Sequence, residues 1–410
     1  MQEKALLIGL YKSKRDLRIQ DDSLRELNRL AETAGAAVVE SRLYELREIH
    51  AGTYIAKGRI EAIAETLQKT DIHLVLFDED LSPSQNRNLE KIWGVKVLDR
   101  TGLILDIFAQ NAKSGEGKLQ VEIAQMNYLL PRLSGHGAEF SQLGGGIGTR
   151  GPGETRLEMD RRKAHDRLAL LKRMLRRVKT SRELHRKKRV EVPIPIISIV
   201  GYTNAGKSTL MNYLTGAGVL VEDKLFATLD PTTRRYRLPS GRDVLISDTV
   251  GFIRKLPHQL IEAFHATFEE VESASLIIHL MDGSHPQCEE HKTIVEDVLA
   301  ELGLDQKPIL QVFNKKDQIK ANLRPEGSLL ISALTGEGVD GLIRTVEENL
   351  SSSFHHLSLC LPHSKGADLS LLYQTSRILE REDRADGIYL EVELDEKNYK
   401  QFSQYRATHS

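Results

Sequence analysis

The sequence predicts an α/β protein, and three observations carry that class. Short apolar runs alternate with longer amphipathic ones, a Gly-x-x-x-x-Gly-Lys-Ser string at 201–208 stands between an apolar run and a helical one, and residues 113–192 break the alternation with helical periodicity and a lopsided charge. The expected architecture is a P-loop domain on a mostly parallel sheet at 193–353. It is preceded by a small α/β domain at 1–112 and a basic helical hairpin with a glycine-rich loop at 113–192, and followed by a small α/β appendage at 354–410.

Length and composition allow this. With 410 residues, 40% apolar and 28% charged, the chain has room for two to three domains, each with its own core. No charge-free apolar run approaches the roughly 18 residues of a membrane span, and the start, Met1-Gln-Glu-Lys-Ala-Leu-Leu-Ile-Gly9, lacks a signal-peptide pattern. A cytoplasmic, monomeric protein is expected. Cys288 and Cys360 lie far apart without metal-ligand spacing, so both are expected as reduced thiols.

In the first domain, strand-like runs at Ala5–Tyr11, Ala37–Glu40, His73–Phe77 and Val95–Leu98 alternate with helices from Ser23, from Lys57 to Lys69 and from Pro83 to Trp93. That alternation predicts a parallel sheet. Asp78 and the turn Thr53–Gly58 sit at strand and helix ends, where a second ligand site or plain scaffold is expected, although no phosphate motif is present. In the next segment, Lys118–Leu130 carries Leu119, Ile123, Met126, Leu129 and Leu130 as one helical stripe, and a longer helix over Leu157–Arg189 carries Leu168, Leu171, Leu175 and Val178. The second helix holds 14 Lys/Arg against 4 Asp/Glu, a charge of +10 in a chain whose net charge is −1. Such asymmetry points to a polyanionic partner. The joining loop, Ser134–Arg156, has eight glycines interleaved with His136, Arg150 and Arg156, and Arg132 lies just before it. It reads either as a linker or as a surface for irregular RNA.

The nucleotide chemistry is concentrated in the third segment. Ile196–Val200 reads as a buried strand and Thr209–Leu214 as a helix, so Gly201-Tyr202-Thr203-Asn204-Ala205-Gly206-Lys207-Ser208 has the strand, loop and helix context a phosphate loop requires. Its amides and the helix N-terminus face phosphate, Lys207 supplies charge to the β and γ oxygens, and Ser208 holds Mg²⁺. Asp248, closing Val244–Ser247 and opening Asp248-Thr249-Val250-Gly251, can bind Mg²⁺ through water while the Gly251 N–H meets the γ-phosphate. Pro308–Phe313 delivers Asn314-Lys315-Lys316-Asp317, whose Asp317 carboxylate accepts from N1–H and N2–H₂ of guanine. Adenine would leave it facing a lone pair. Ser332-Ala333-Leu334 offers amides to the guanine O6. These strings predict binding and hydrolysis of GTP to GDP.

Between the phosphate loop and Asp248, Phe226-Ala227-Thr228-Leu229-Asp230 is expected to close over Mg²⁺ and the γ-phosphate, with Thr228 as metal ligand and Thr232 or Thr233 as alternatives. Phe252 occupies the place where many switches carry a glutamine that orients water. Either hydrolysis is intrinsically slow, around 10⁻⁴ to 10⁻² s⁻¹ by analogy with unassisted switches, or a partner or a cation completes the site. Asn204 is the candidate K⁺ ligand. The prolines at 193 and 195 mark the boundary into this domain, and its last helix spans Val339–Leu350. In the appendage, Leu357–Leu361 and Gly387–Leu394 read as strands flanking a helix near Asp368–Arg381.

Phe226-Ala-Thr-Leu-Asp-Pro-Thr-Thr-Arg234, Asp248-Thr-Val-Gly-Phe-Ile253 and Gly144-Gly-Gly-Ile-Gly-Thr-Arg-Gly-Pro-Gly-Glu-Thr-Arg-Leu-Glu158 together resemble the bacterial HflX family of GTPases over about residues 1–350. The resemblance implies nucleotide contacts at Gly201–Ser208, Phe226–Asp230, Asp248–Gly251, Asn314–Asp317 and Ser332–Leu334, with Lys207, Thr228 and Gly251 central to catalysis and Mg²⁺ at Ser208, Thr228 and Asp248. It also implies binding to the large ribosomal subunit and its rRNA, dissociation of stalled or idle ribosomes under stress, and ATP binding by the N-terminal half. Two rivals stand beside it: a GTP-regulated signalling module whose hairpin is a dimerisation coiled coil, and an RNA-binding factor whose hydrolysis is incidental.

Overall fold

Among the described residues the chain forms three sheets, of four, six and three strands. The computed structural model describes residues 2–132, 156–188, 194–216, 225–226, 232–255, 270–319, 328–352 and 354–407. Thr228 with Ala227, Leu229 and Asp230, and the glycine loop with His136 and Arg150, lie outside the described residues. One compact unit comprises Met1–Arg177, Glu222–Asp230 and Ile253–Ala266, and the other comprises Val178–Val221, Pro231–Phe252 and Thr267–Ser410.

In the first unit, β1 (Lys4–Tyr11), β2 (Ala37–Glu45), β3 (Leu74–Phe77) and β4 (Lys96–Asp99) form an all-parallel sheet. Their connections are α1 (Leu17–Thr33), α2 (Lys57–Lys69) and α3 (Pro83–Trp93), followed by α4 (Arg100–Asn111). β3 reads Leu-Val-Leu-Phe and is buried on both faces, as a central strand of such a sheet must be. Ser82 and Gln85 form a capping box with Pro83 at the first turn of α3, which explains its sharp start. The sequence pattern placed the start of α1 at Ser23, but the helix begins at Leu17, its first turns, Leu17–Asp22, carrying no buried side chain, with Leu17 and Ile19 exposed.

α5 (Gly115–Leu129) buries Gln120, Val121, Ile123, Ala124 and Tyr128, whereas Leu129 is exposed, so its inward face is rotated from the expected leucine stripe. Tyr128 decides the rotation: its hydroxyl donates to Asp99 Oδ1 at 2.7 Å. α6 (Arg156–Lys188) confirms the long basic helix, with Leu171 buried, Leu168 and Leu175 half-buried, and Val178 on the exposed side. Arg167 reaches across to Glu122 of α5 at 2.7 Å.

In the second unit, β5 (Ile196–Val200), β7 (Asp243–Asp248), β8 (Leu276–Asp282), β9 (Ile309–Asn314) and β10 (Leu329–Leu330) run parallel, and only β6 (Thr232–Arg237) is antiparallel, against β7. α7 (Lys207–Thr215), α8 (Cys288–Glu301) and α9 (Val339–Ser352) belong to this sheet's connections. Its core joins Ile197, Ile199, Leu210, Ile246, Ile278, Leu280, Val312 and Leu342.

The C-terminal sheet is antiparallel: β11 (Phe354–Leu361), β12 (Arg377–Arg384) and β13 (Gly387–Asp395), with α10 (Gly366–Thr375) and α11 (Glu396–Phe402). The helix expected through Arg381 ends at Thr375. Arg377–Arg384 is charged and reads as helical, but pairing with β13 makes it an edge strand, where charged side chains are tolerated in solvent.

The polar centre of the first unit is Asp78, which follows β3 where the strand order reverses between β1 and β3. It is fully buried, accepting from Arg100 at 2.7 Å, Lys255 at 2.9 Å and the Ser23 hydroxyl at 2.6 Å. Arg100, itself 1% exposed, also reaches Glu26 at 2.7 Å. At the position where a second ligand site or plain scaffold was expected, Asp78 is engaged by side chains of this unit. Burial alone would raise the Asp78 carboxyl, yet Arg100, Lys255 and Ser23 together hold it below the usual carboxylate range. Asp78→Ala removes the buried carboxylate shared by Arg100 and Lys255, leaving Arg100 its pairing with Glu26, and is expected to cost about 3 kcal/mol in urea unfolding at pH 7. Because the folded pKa is depressed, Asp78's contribution is complete above the unfolded carboxylate pKa and lost as pH falls through the folded one. The deficit of the variant should therefore shrink on acidification below about pH 4.

Candidate functional site

β5 lies where the order of the six-stranded sheet reverses, so the crevice at its carboxyl end is the natural ligand position, and Gly201 opens there. The loop that follows is closed by Lys207 at the start of α7: its ammonium donates to Gly201 O at 3.0 Å and Tyr202 O at 2.9 Å. Burial pushes this ammonium down to about 8, partly opposed by Asp248. Gly206 has φ +95°, and a Cβ there would lie 2.2 Å from Asn314 Nδ2, so only glycine fits.

Ser208 Oγ donates to Asp248 Oδ2 at 2.7 Å, joining the first helical turn to the end of β7. These are hard oxygen ligands converging from two elements, the donor type Mg²⁺ prefers. Thr249 is committed elsewhere, its hydroxyl donating to Ile199 O at 2.8 Å. Beyond Val250, the Gly251 segment runs alongside the phosphate loop: Thr203 N–H donates to Phe252 O at 2.7 Å and Phe252 N–H to Gly201 O at 3.1 Å.

The base-side loops are tied to the same frame. Asn314 Nδ2 donates to Ala205 O at 2.8 Å, and its Oδ1 accepts from Ala333 N–H at 2.9 Å. Ser332 Oγ donates to Asp317 Oδ1 at 2.6 Å, orienting that carboxylate. Lys315 pairs with Asp282 and Lys316 with Glu337, each at 2.7 Å, while Leu334 is 74% exposed. The structure thus brings together Gly201–Ser208, Asp248–Gly251, Asn314–Asp317 and Ser332–Leu334. Phe226 lies in the first unit, buried edge-on to Phe108 with centroids 4.7 Å apart, its carbonyl accepting from Asn111 Nδ2 at 2.8 Å. Of the two alternatives to Thr228, Thr232 lies in β6 opposite Asp248, and Thr233 donates to Glu270 at 3.0 Å.

Two features were not read from the sequence. His279 of β8, beside Val200, is 1% exposed, and burial, then Lys292 and Lys207, push its imidazole down to about 4, so it lies neutral beneath the phosphate loop. Tyr202 stacks on His291 of α8 at 3.8 Å, which fixes the outer side of the loop. Neither has a motif, since both depend on strand register and helix docking.

Comparison with known proteins agrees with this geometry. Residues 21–109 match the family model described as GTP-binding GTPase N-terminal, 111–189 the GTP-binding GTPase Middle Region, 196–315 the 50S ribosome-binding GTPase and 318–405 the HflX C-terminal domain. The GTPase HflX of Caldanaerobacter subterraneus subsp. tengcongensis is 44% identical over 396 residues, covering 96% of this chain and 91% of that protein. The chain belongs to the HflX family of GTPases. The Escherichia coli K12 GTPase HflX is 40% identical over 402 residues, covering 96% of this chain and 93% of the relative. A GTP-binding protein of Sulfolobus solfataricus, solved in complex with GDP, aligns over 86% of this chain and 99% of that one at 25% identity, with a TM-score of 0.43.

As an HflX GTPase, the chain binds GTP and GDP and hydrolyses GTP. Phosphate oxygens placed beside Lys207 would favour its charged form, so nucleotide binding at this loop is expected to raise the pKa that burial pushes down to about 8. Binding therefore takes up a proton above that pH, and GDP affinity is expected to be flat from pH 6.5 to 7.5 and to weaken by up to about tenfold per unit above 8. Calorimetry in buffers of different ionisation enthalpy measures the uptake, and an affinity unchanged up to pH 9 would contradict the Lys207 assignment.

Proposed function

We propose that this HflX GTPase binds the large ribosomal subunit through rRNA and, in its GTP state, dissociates stalled or idle ribosomes under stress. Hydrolysis to GDP and phosphate then permits release. The observation that carries the reading is a strongly basic, exposed helix in the same chain as a crevice that gathers the phosphate loop, Asn314, Asp317 and Ser332. α6 presents Arg161, Arg162, Arg173, Arg176 and Arg177 to solvent. The family model matched by residues 196–315 is described as a 50S ribosome-binding GTPase, which supports the partner.

In this reading Lys207 neutralises the β and γ oxygens, the Gly251 N–H meets the γ-phosphate, and Asp317, oriented by Ser332, accepts from guanine N1–H and N2–H₂. Ser208, Asp248 and Thr228 would hold Mg²⁺, which when bound neutralises charge developing on the phosphates. The amides of Ser332–Leu334 meet O6, while Phe226–Asp230 forms the first switch. Asn204, at φ +61°, turns its backbone at the rim of the loop and is the proposed K⁺ ligand. The protein is proposed to act as a cytoplasmic monomer with a ribosome-associated fraction. No helix among the described residues is long and apolar enough to cross a membrane. ATP binding by the N-terminal half, which the family resemblance implies, is part of this proposal, with Asp78 at the end of β3 engaged by Ser23, Arg100 and Lys255.

One observation favours a second reading. Leu170, Met174 and Val178 are exposed at successive turns of α6, a stripe that a coiled-coil partner could cover. Salt separates the two, because counterion release weakens phosphate binding by roughly 10³-fold or more between 50 and 200 mM salt, and apolar pairing is insensitive. Cosedimentation with large subunits is expected to be stronger with a GTP analogue than with GDP. Replacing Arg161, Arg162, Arg173 and Arg176 with Glu should abolish it while leaving nucleotide affinity intact. Equal sedimentation in both nucleotide states, or by the charge-reversed variant, rejects the ribosomal reading. Turnover should be several-fold faster in K⁺ than in Na⁺ at equal ionic strength, and Asn204→Ala should erase that difference.

A further inference from the structure

GTP hydrolysis requires a polar group that holds the attacking water, and the ring of Phe252, 1% exposed, supplies none. Thr203 stands beside it in the phosphate loop. Its backbone N–H is spent on Phe252 O at 2.7 Å, and a Cβ built on Gly251 would lie 2.8 Å from Thr203 Cγ2 and 3.0 Å from Lys207 Nζ. The Thr203 methyl, the Lys207 ammonium and Gly251 therefore converge on one point, and the Thr203 hydroxyl is carried on the same Cβ.

The hydroxyls around this point are otherwise accounted for: Ser208 donates to Asp248, Thr249 to Ile199 O and Ser332 to Asp317. Thr203 is only 7% exposed, yet its Oγ1 is buried without a hydrogen-bond partner. Leaving a hydroxyl in that condition costs desolvation free energy that valine, with the same shape, would not incur. Ser198 Oγ is similarly buried without a partner, but it lies within β5, where the nearest register partners are Ser247 and Ile277 rather than the loop. Gly251 lies against the methyl of Thr203, whose hydroxyl is a buried polar group of this corner without a partner.

We propose that the Thr203 hydroxyl positions the attacking water, accepting a hydrogen bond from it and donating its own proton to a γ-phosphoryl oxygen. The water oxygen then bonds to Pγ as the bond from Pγ to the β,γ-bridging oxygen breaks. That electron pair stays on the β-phosphate of GDP, and one water proton passes to a γ oxygen, so that the products are GDP and dihydrogenphosphate. The hydroxyl keeps its own proton throughout.

The test compares Thr203→Val, which keeps the methyl and the shape, with Thr203→Ser, which keeps the hydroxyl, and with Thr203→Ala, which removes both without adding bulk. Three quantities are read: the single-turnover hydrolysis rate, the affinity for fluorescent GDP and a non-hydrolysable GTP analogue, and the fluorescence change when aluminium fluoride joins the GDP complex as a transition-state mimic. Thr203→Val should hydrolyse at least tenfold more slowly with both affinities within threefold of the parent, and should lose the aluminium fluoride response. The rate loss follows the roughly 10²-fold typical of a missing transition-state hydrogen bond. Thr203→Ser should regain most of the rate, and Thr203→Ala should repeat the valine result even if valine disturbs folding. A valine or alanine variant hydrolysing at the parental rate overturns the proposal. So does a rate loss matched by an equal loss of GDP affinity, since that marks a merely structural residue.

Discussion

The nucleotide crevice depends on the buried amide of Asn314. Its nitrogen donates to Ala205 O in the phosphate loop, its oxygen accepts from Ala333 N–H in the Ser-Ala-Leu loop, and its own carbonyl accepts from Gly283 N–H after β8. Two loops carried by different strands are thus held by one side chain that is 2% exposed, and a third by the backbone of the same residue, inside low-dielectric protein where such bonds are strong and their loss is costly. The absent side chain of Gly206 allows the amide to approach, so the glycine and the asparagine, 108 positions apart by their residue numbers, answer one steric requirement.

The two units treat buried charge in opposite ways. Asp78 is compensated within the fold by Arg100, Lys255 and Ser23, which hold it below the usual carboxylate range against the effect of burial. Among the described residues Lys207 donates to two carbonyls and is opposed in its desolvation by the charge of Asp248, and burial still lowers its pKa toward neutrality. A charge that the fold leaves undercompensated favours a polyanionic ligand; one fully compensated serves structure. His279 beneath the loop follows the same logic, remaining neutral so that it adds no cation beside Lys207.

Between Phe252 and Ile253 the chain leaves one compact unit and enters the other. Gly251 lies against Thr203 and Lys207, whereas Lys255, four positions on, contacts Asp78 and Glu79. The segment expected to respond to the γ-phosphate is therefore continuous with the segment that completes the buried charge network of the N-terminal sheet. Phe226, from the segment expected to be the first switch, belongs to that same unit through Phe108 and Asn111.

The phosphate loop, Asp248, Asn314, Asp317 and the Ser-Ala-Leu string were legible in the sequence, as were the parallel N-terminal sheet and the basic helix. Phosphate and guanine impose their chemistry on contiguous residues, and amphipathic periodicity records which local face is buried. The tertiary structure alone decided that Arg377–Arg384 is a strand, that α5 turns Tyr128 inward, that Asp78 is sealed by Lys255 and that the Thr203 hydroxyl is left without a partner. Each of these follows from a contact between residues distant in sequence, or from the enclosure of a side chain by several elements, and neither leaves a trace in local spacing.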